Sequence, residues 1–386
     1  MKLDLRRAFE RALAQKPALL DGDDPTLIVV PDATRPIPFE EALRPLLDHL
    51  HHQGAPIHIL VGLGLHRPMT TEELEPIRRA IGDRPIPITQ HDPQGDDIVA
   101  LGDADHIPIA LNRHLLEHER IICVGTVEPH QYAGFSGGAK AMAIGCAGEA
   151  TISAMHGLGF LRDRHTALGR LEDNPFQAHL WRIIDAIDDP IGLQLVPAVG
   201  GGIAALCLDH LRPAFQEAAR RSYDRCFLEV TRHFDWLHLL VPGSKSLNFY
   251  QASRAATYAI LIDQPAVRPG APVLVEARCP EGMGRGTGEQ ACQQALTRGR
   301  QSLLDDLRSE DDRPLRGGEQ RAYIIARALE RNPIALIGAQ QPIEGLDAVG
   351  IPQYENADQA LDDFDVTGNH GRRFPDIFHS IPRFTF

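Results

Sequence analysis

The sequence predicts an α/β protein made of two α/β domains, with mostly parallel sheets and an active-site cleft between them. Three observations lead to this prediction: short β-branched runs recur along the chain, helix-like stretches separate them, and each run ends in glycine or polar residues. The chain has 386 residues, which is enough for two to three domains.

The first domain is predicted over residues 1–228, and the polar C-terminal tail 362–386 is expected to pack back on it. Strands are expected over 26–30, 57–61 and 120–124, and helices over 38–51 and 71–81. Thr70, followed by Glu72 and Glu73, has the pattern of a helix N-terminus.

Polar side chains follow all three strands of this first series. Asp32 and Arg35 come after the first strand, His66 after the second and His130 after the third. Because ligands of open α/β sheets bind beyond the carboxyl ends of the strands, these residues are the first candidates for a functional site.

The second domain is predicted over 229–361 by a second series of the same kind. Its strands are expected over 237–241, 273–276 and 334–337, and its helices over 251–262, 289–307 and 319–331.

Composition and charge exclude several classes of protein. The net charge of −13 disfavours binding to nucleic acid or to an anionic membrane surface. No apolar run approaches the roughly 18 residues of a membrane-spanning helix, and no secretory signal is found, so a cytoplasmic protein is expected. The six cysteines are scattered without a CxxC pair, which predicts reduced, buried thiols.

The densest motif is the glycine-rich segment 128–140, which ends in Ser136-Gly137-Gly138 and then Lys140. Glycines allow close approach of the backbone, and a turn that leads into a helix offers N–H groups to an anion. The segment does not match the Walker A pattern, so ATP hydrolysis is not supported.

Four motifs occur in an order that resembles the nickel-pincer lactate racemase family. They are DxTRP at 32–36, GxHRP at 64–68, PHxxAGFSGGAK at 129–140, and a histidine after a further glycine-rich turn, His156. Asn174-Pro175 and the block 248–252 extend the resemblance over most of the chain. It implies an isomerase that racemises short, lactate-like 2-hydroxy acids.

The resemblance also implies a cofactor, nickel pyridinium-3,5-bisthiocarboxylic acid mononucleotide, called the nickel-pincer nucleotide. Lys140 would be its covalent anchor and His156 the protein ligand to nickel, and enzymes that assemble the cofactor would be partners during maturation. Asp32 would orient the cofactor or neighbouring groups. The residues expected to hold the cofactor phosphate are Gly134, Ser136, Gly137 and Gly138.

In the implied reaction, hydride passes reversibly from the substrate Cα to this cofactor through a 2-keto acid. His66 and His130 would be the acid/base pair. Arg35 would bind the substrate carboxylate, and Tyr250, Gln251 and Arg254 would contact the substrate from the second domain. Family members have lysine where this chain has Arg254, and a tryptophan of a later helix is replaced near Gln320.

Other functions remain open at this point. A larger aromatic or a dicarboxylic, malate-like 2-hydroxy acid is the alternative substrate. An NAD-dependent dehydrogenase would need GxGxxG after the first strand, which this chain lacks. A nickel or nucleotide carrier would need Lys140 and His156, but it would not need His66 and His130.

Overall fold

The structure, a computed structural model, describes residues 3–35, 37–309, 315–366, 368 and 370–385. Pro36 of the first motif lies outside the described residues, as do 1–2 of the predicted first domain and 367, 369 and 386 of the predicted tail. The chain divides into two compact units. The first unit comprises Met1–Met155 and Asp173–Asp224, and the second comprises His156–Glu172 and Arg225–Phe386.

The strands of the described chain are, in order, β1 (Thr26–Pro31), β2 (Ile57–Gly62), β3 (Ile88–Gln90), β4 (Ile98–Ala104), β5 (Ile107–Asn112), β6 (Arg120–Thr126), β7 (Pro129–His130), β8 (Gly134–Phe135), β9 (Ile191–Pro197), β10 (Ile203–His210), β11 (Phe227–Val230), β12 (Trp236–Leu240), β13 (Val273–Glu276), β14 (Ile334–Ile337), β15 (Gln353–Tyr354), β16 (Gly371–Phe374) and β17 (Ile381–Phe384).

The α-helices are α1 (Leu5–Gln15), α2 (Phe39–Gln53), α3 (Thr71–Ile81), α4 (His114–Glu117), α5 (Ala139–Ala143), α6 (Glu149–Met155), α7 (Leu158–Arg162), α8 (Pro175–Ile184), α9 (Leu211–Cys226), α10 (Phe249–Ala252), α11 (Arg254–Ile260), α12 (Thr287–Leu296), α13 (Arg300–Arg308), α14 (Gln320–Arg331), α15 (Leu346–Val349) and α16 (Ala357–Asp363). Short 3-10 helices span Pro17–Leu20 and Gly243–Ser246.

The first unit is built on a sheet with the strand order β10-β9-β6-β1-β2-β3. Its strands pair in parallel except β10, which is antiparallel to β9. The three strands predicted for this unit are confirmed as β1, β2 and β6. Residues 27–30 of β1 are fully buried, as expected for a strand of a parallel sheet that is covered on both faces.

Helices α2 and α3 contribute their apolar faces to the core of this sheet. Leu43, Leu47 and Leu50 of α2 recur at helical spacing, are fully buried and share one hydrophobic cluster with Ile77 of α3. Helix α3 begins as predicted, since Thr70 and Glu73 form a reciprocal capping box.

The second unit contains a parallel sheet with the order β15-β14-β13-β12-β16. The predicted α/β class with mostly parallel sheets is thereby confirmed. Two predicted helices are each divided in the structure. The stretch 251–262 divides at Ser253 into α10 and α11, and the stretch 289–307 divides into α12 and α13 before Gly299, whose φ of +84° favours glycine.

The division into units differs from the predicted domains at three segments: residues 225–228, the tail, and residues 156–172. The tail, predicted to pack on the first domain, lies in the second unit because β16 pairs with β12 and β17 with β11. Residues 156–172 also belong to the second unit, where Arg162 Nε donates to the Leu307 carbonyl at 3.2 Å and Arg170 pairs with Asp263 at 3.5 Å.

All six cysteines are buried and form no disulfide, as predicted. Within the described residues, the helices are too short or too polar for any of them to cross a bilayer.

Three histidines of the first unit lie close together. The ring centroid of His58, on β2, is 4.6 Å from that of His114 and 5.6 Å from that of His118. His58 Nε2 lies 2.8 Å from the Thr89 hydroxyl. Burial and the positive charge of the two neighbouring histidines lower the pKa of His58 to about 4.

This lowered pKa predicts a loss of stability in acid. Between pH 6.5 and about 4 the unfolded chain binds a proton at residue 58 and the folded chain does not. The free energy of unfolding therefore decreases as the pH is lowered through this range. The slope of the free energy of unfolding against pH can be measured by urea unfolding from pH 7 to pH 4. We expect His58→Gln to reduce this slope by at most about 1.4 kcal/mol per pH unit. His52→Gln, at an exposed position of α2, should keep the wild-type slope. An unchanged slope in His58→Gln would contradict the assignment.

Candidate active site

The candidate residues of the first unit follow three adjacent parallel strands. Because β6, β1 and β2 are neighbours that run in one direction, their carboxyl ends lie at one edge of the sheet. Asp32 and Arg35 follow β1, His66 follows β2 and His130 follows β6, as predicted. The fold therefore delivers all four side chains to loops at the edge where α/β proteins bind ligands.

Asp32 and His66 are in direct contact. Asp32 Oδ2 lies 2.6 Å from His66 Nδ1, and Oδ1 accepts hydrogen bonds from the Thr34 hydroxyl at 2.5 Å and the Thr34 amide at 3.2 Å. Burial acts to raise the pKa of Asp32, but the hydrogen bond and charge of His66, the Thr34 hydroxyl and the charge of Arg35 outweigh it, so the pKa is lowered. The carboxylate therefore remains ionised at neutral pH.

The contact with Asp32 fixes the proton of the neutral His66 ring. Nδ1 donates to the carboxylate, which leaves a lone pair on Nε2. The His66 side chain is 57% exposed, so a small molecule can reach it. Two further contacts hold its loop: the Gly64 amide donates to the Gly145 carbonyl at 2.9 Å, and Arg67 binds both carboxylate oxygens of Glu73 at 2.8 Å.

His130 has the opposite proton arrangement. Its Nδ1 accepts hydrogen bonds from the backbone amides of Tyr132 and Ala133, both at 3.2 Å, so the neutral ring carries its proton on Nε2. His130 also pairs with Gly134 in the short β7–β8 ladder. Asn174 supports the same turn, since its side-chain amide donates to the Tyr132 carbonyl at 2.8 Å.

The glycine turn that follows is held by a residue that sequence reasoning missed. Gln194, fully buried on β9, accepts a hydrogen bond from the Gly138 amide at 2.9 Å and donates to the Cys123 carbonyl of β6 at 2.8 Å. A Cβ atom at Gly137 would lie 2.8 Å from Gln194 Oε1, and one at Gly138 would lie 2.5 Å from Phe215. Both glycines have positive φ, so packing and backbone conformation each require glycine there.

Ser136 and Gly138, which are expected to hold the cofactor phosphate, also make hydrogen bonds within the fold. The buried Ser136 hydroxyl donates to the Thr126 carbonyl at 2.9 Å and accepts from the Glu128 amide at 3.1 Å. The Gly138 amide is taken by Gln194. These groups shape the turn, and Lys140, half-buried on α5, follows it.

The remaining predicted residues belong to the second unit. His156 lies between α6 and α7. Tyr250 and Gln251 are on α10, and the side chain of the N-cap residue Asn248 accepts a hydrogen bond from the Gln251 amide at 3.0 Å. Arg254 begins α11, and its guanidinium carbon lies 5.8 Å from the centre of the Tyr250 ring.

In the described part of the chain, no three His, Cys, Asp or Glu side chains are arranged to hold a metal ion. An imidazole nitrogen is a common ligand of nickel, and His156 is the residue expected to supply one. The amine of Lys140, which follows the glycine turn on α5, is a nucleophile of the kind that a covalent anchor requires.

Sequence reasoning missed two residues that lie near the predicted site residues, Gln194 and Arg321. Gln194 is a polar residue inside the apolar run 191–196, a signal that could have marked it. Arg321 is a charged residue on the buried face of α14, and its guanidinium carbon also lies 5.8 Å from the Tyr250 ring centre. The sequence pointed only to the neighbouring Gln320.

Residues 4–169 match the family described as "Lactate racemase N-terminal domain". This segment contains all four motifs, from Asp32 to His156, which confirms the resemblance on which the site assignments depend.

Two curated relatives are named lactate racemase. The lactate racemase of Thermoanaerobacterium thermosaccharolyticum is 25% identical over 366 residues, which cover 86% of this chain and 78% of that protein. The lactate racemase of Lactiplantibacillus plantarum is 32% identical over 167 residues, which cover 40% of this chain and 38% of that protein. The enzyme class of these relatives is the expected one, isomerase.

Solved structures share the fold. The lactate racemase apoprotein from Thermoanaerobacterium thermosaccharolyticum matches with a TM-score of 0.88 at 21% identity, over 99% of this chain and 93% of that chain. A crystal structure of a Thermotoga maritima protein matches with a TM-score of 0.74 at 16% identity over the whole of both chains.

The Gln194 contacts predict a measurable cost for the removal of its amide. Gln194→Leu would leave the Gly138 amide and the Cys123 carbonyl buried without this partner, and we expect the free energy of unfolding to fall by about 2–4 kcal/mol. Urea unfolding measures this loss. Gln15→Leu, at an exposed end of α1, should change stability by less than about 0.5 kcal/mol. Equal stability of the two variants would show that Gln194 does not clamp the turn.

Proposed function

We propose that this chain, whose residues 4–169 belong to the lactate racemase N-terminal domain family, racemises a short 2-hydroxy acid. The observation that carries the proposal is the Asp32–His66 pair, a buried ionised carboxylate that holds a histidine with Nε2 available to a ligand. The named relatives are lactate racemases, so lactate is the first substrate to test.

Arg35 binds the carboxylate of the substrate. Its side chain forms no ion pair in the part of the chain that the structure describes, and it follows β1 in the same loop as Asp32. A planar guanidinium binds a carboxylate through two parallel hydrogen bonds, which fixes the orientation of the bound acid. This contact would hold the substrate hydroxyl within reach of the histidines.

His66 is the base for the first half of the reaction. As hydride leaves Cα, the O–H proton passes to His66 Nε2, and the broken C–H and O–H bonds are replaced by the C=O bond of a 2-keto acid. The charge that develops on the ring is stabilised by the Asp32 carboxylate. Return of the hydride to the opposite face and of a proton to oxygen gives the other enantiomer.

His130 enters this reaction as a hydrogen-bond donor. With Nδ1 occupied by two backbone amides, its Nε2–H can donate to the substrate oxygen. To act as a base at Nε2, the ring must move its proton to Nδ1 and give up both backbone hydrogen bonds. The two histidines are therefore not equivalent in the resting enzyme.

The hydride acceptor is proposed to be a nickel-pincer nucleotide, which supplies a site that takes up and returns hydride. Lys140 would anchor this group covalently, and His156 would be the protein ligand to its nickel. The chain has only four lysines, so an amine directly after the clamped glycine turn is a specific feature. Gln194 holds that turn, and Tyr250, Gln251 and Arg254 are proposed as substrate contacts.

The role of Lys140 as the covalent anchor is tested by mass spectrometry. Protein produced together with the cofactor-assembly enzymes should carry an adduct on Lys140, measured by intact mass and peptide mapping. Lys140→Arg keeps the charge but removes the nucleophilic amine, so it should remain unmodified, whereas Lys16→Arg, at an exposed lysine, should carry the adduct. An adduct on Lys140→Arg would exclude this anchor, and the absence of an adduct from the wild type would argue against the cofactor.

The acid/base role is tested by the rate of loss of optical rotation of lactate and malate. We expect His66→Gln to lower kcat by about 10²–10⁴-fold, because a positioned base contributes that much. Asp32→Asn should lower it by about 10²-fold or more, because the amide no longer fixes the Nδ1–H form of His66. Adduct and nickel content should be unchanged in both variants, and His52→Gln is the control. Wild-type kcat in His66→Gln would refute the assignment.

A further inference from the structure

His91 is a buried titratable residue of the first unit that the proposed reaction does not use. It directly follows β3, the neighbour of β2 in the sheet, and it is only 2% exposed. Its backbone amide donates to the Val61 carbonyl of β2 at 3.0 Å. Burial lowers the pKa of the ring, against the opposing effects of a hydrogen bond to the Ala147 carbonyl and of nearby aspartates. The ring is therefore neutral at neutral pH, with one nitrogen that donates and one that accepts.

The neighbours of His91 fix which nitrogen carries the proton. Asn112 Oδ1 accepts a hydrogen bond from the His114 amide at 3.1 Å, so the Nδ2 end of Asn112 faces His91. This Nδ2 donates to His91 Nδ1 at 3.3 Å, and His91 Nε2 donates to the Ala147 carbonyl at 3.0 Å. The direction of each hydrogen bond is thereby set, and the ring links Asn112 to the backbone at residue 147.

Ala147 belongs to residues 145–148, a turn that follows α5. The Gly145 amide donates to the Lys140 carbonyl at 3.4 Å, so the 145–148 turn continues from the helix that carries the proposed anchor. Two other backbone groups of the turn form hydrogen bonds with β5. The bond from His91 is a further attachment, made by a side chain.

The 145–148 turn also holds the loop of His66. The Gly64 amide, two residues before His66, donates to the Gly145 carbonyl at 2.9 Å. A Cβ atom at Gly62, the last residue of β2, would lie 3.2 Å from both Cys146 Sγ and the Gly145 carbonyl carbon. The turn and the end of β2 are therefore in close contact, so a shift of the turn displaces the His66 loop.

We propose that His91 is a positioning residue for His66, because its bond to the Ala147 carbonyl holds the 145–148 turn against the His66 loop. The inference rests on the proposed function, in which His66 is the base. A histidine suits this role because its planar ring forms a rigid link between a donor on one side and an acceptor on the other. A displacement of a catalytic group by about 1 Å can cost about 10²-fold in rate, so loss of this link should lower kcat.

Two variants separate the two hydrogen bonds of the His91 ring. His91→Gln places an amide near the position of Nε2 and can keep the bond to Ala147, whereas His91→Asn reaches only to the position of Nδ1 and releases the turn. With lactate or malate and cofactor-loaded enzyme, we expect His91→Asn to lower kcat by about tenfold or more with little change in KM. His91→Gln should stay within about threefold of the wild-type kcat. Rates are divided by the amount of Lys140 adduct, which corrects for protein that is not loaded.

A second measurement needs neither cofactor nor substrate. NMR of the histidine ring nitrogens in the apoprotein reports the tautomer of His66, which should carry its proton on Nδ1 because Asp32 accepts it. His91→Asn should lower this Nδ1–H fraction, and His91→Gln should preserve it. The control is His49→Asn, which also removes a hydrogen bond to a backbone carbonyl, that of Leu20, at 3.3 Å. Leu20 precedes β1, at the opposite end of the strand from Asp32, so this control should leave the His66 signals unchanged.

Unchanged His66 signals in His91→Asn would overturn the inference, as would equal losses of kcat in His91→Asn and His91→Gln. If His91→Asn does not fold, Asn112→Leu replaces it. That variant removes only the donor to Nδ1 and lets the ring leave the Ala147 carbonyl, so it should also lower the Nδ1–H fraction of His66, and an unchanged fraction would overturn the inference. The proposed function fails separately, if wild-type enzyme that carries the Lys140 adduct racemises neither acid.

Discussion

The parallel pairing of β6, β1 and β2 is the constraint on which the candidate site depends. Thr26 is opposite Ile57 on one side and Arg120 on the other, and the fully buried residues of β1 hold this register. A slip of one residue would turn the apolar side chains of β1 to the wrong faces. With the register fixed, the loop of Asp32 lies beside the loop of His66, and the short contact between the two side chains follows.

Local patterns predict the parts of this arrangement that depend on neighbouring residues. The apolar runs of β1, β2 and β6 and the polar residues after them are visible in the sequence, so the shared edge of the sheet could be predicted. The role of Gln194 could not, because it depends on the pairing of β9 with β6, which brings residues 123, 138 and 194 together. The partners of the Ser136 hydroxyl, which are the Thr126 carbonyl and the Glu128 amide, could not be predicted either, because they depend on the course of the folded turn.

Two histidine side chains are held in different ways at this edge of the sheet. His66 is held by a carboxylate and His130 by backbone amides, so the two neutral rings carry their protons on opposite nitrogens. Sequence motifs place the two imidazoles but carry no information on their tautomers. Arg321 is a similar case, because its proximity to Tyr250 arises from the packing of α14 against α11 rather than from a motif.

The pairing of β17 with β11 and of β16 with β12 has a consequence for synthesis on the ribosome. The partners in these pairs are separated by more than a hundred residues of chain, and residues 156–172 also wait for partners as distant as Arg327, which donates to the Leu161 carbonyl. Strand β11, and the edge of β12 that pairs with β16, therefore emerge long before their partners. For much of translation the nascent second unit presents unpaired strand edges, which are the surfaces that bind chaperones or aggregate. The time needed to translate residues 231–380 thus sets how long the edge of β11 stays uncovered.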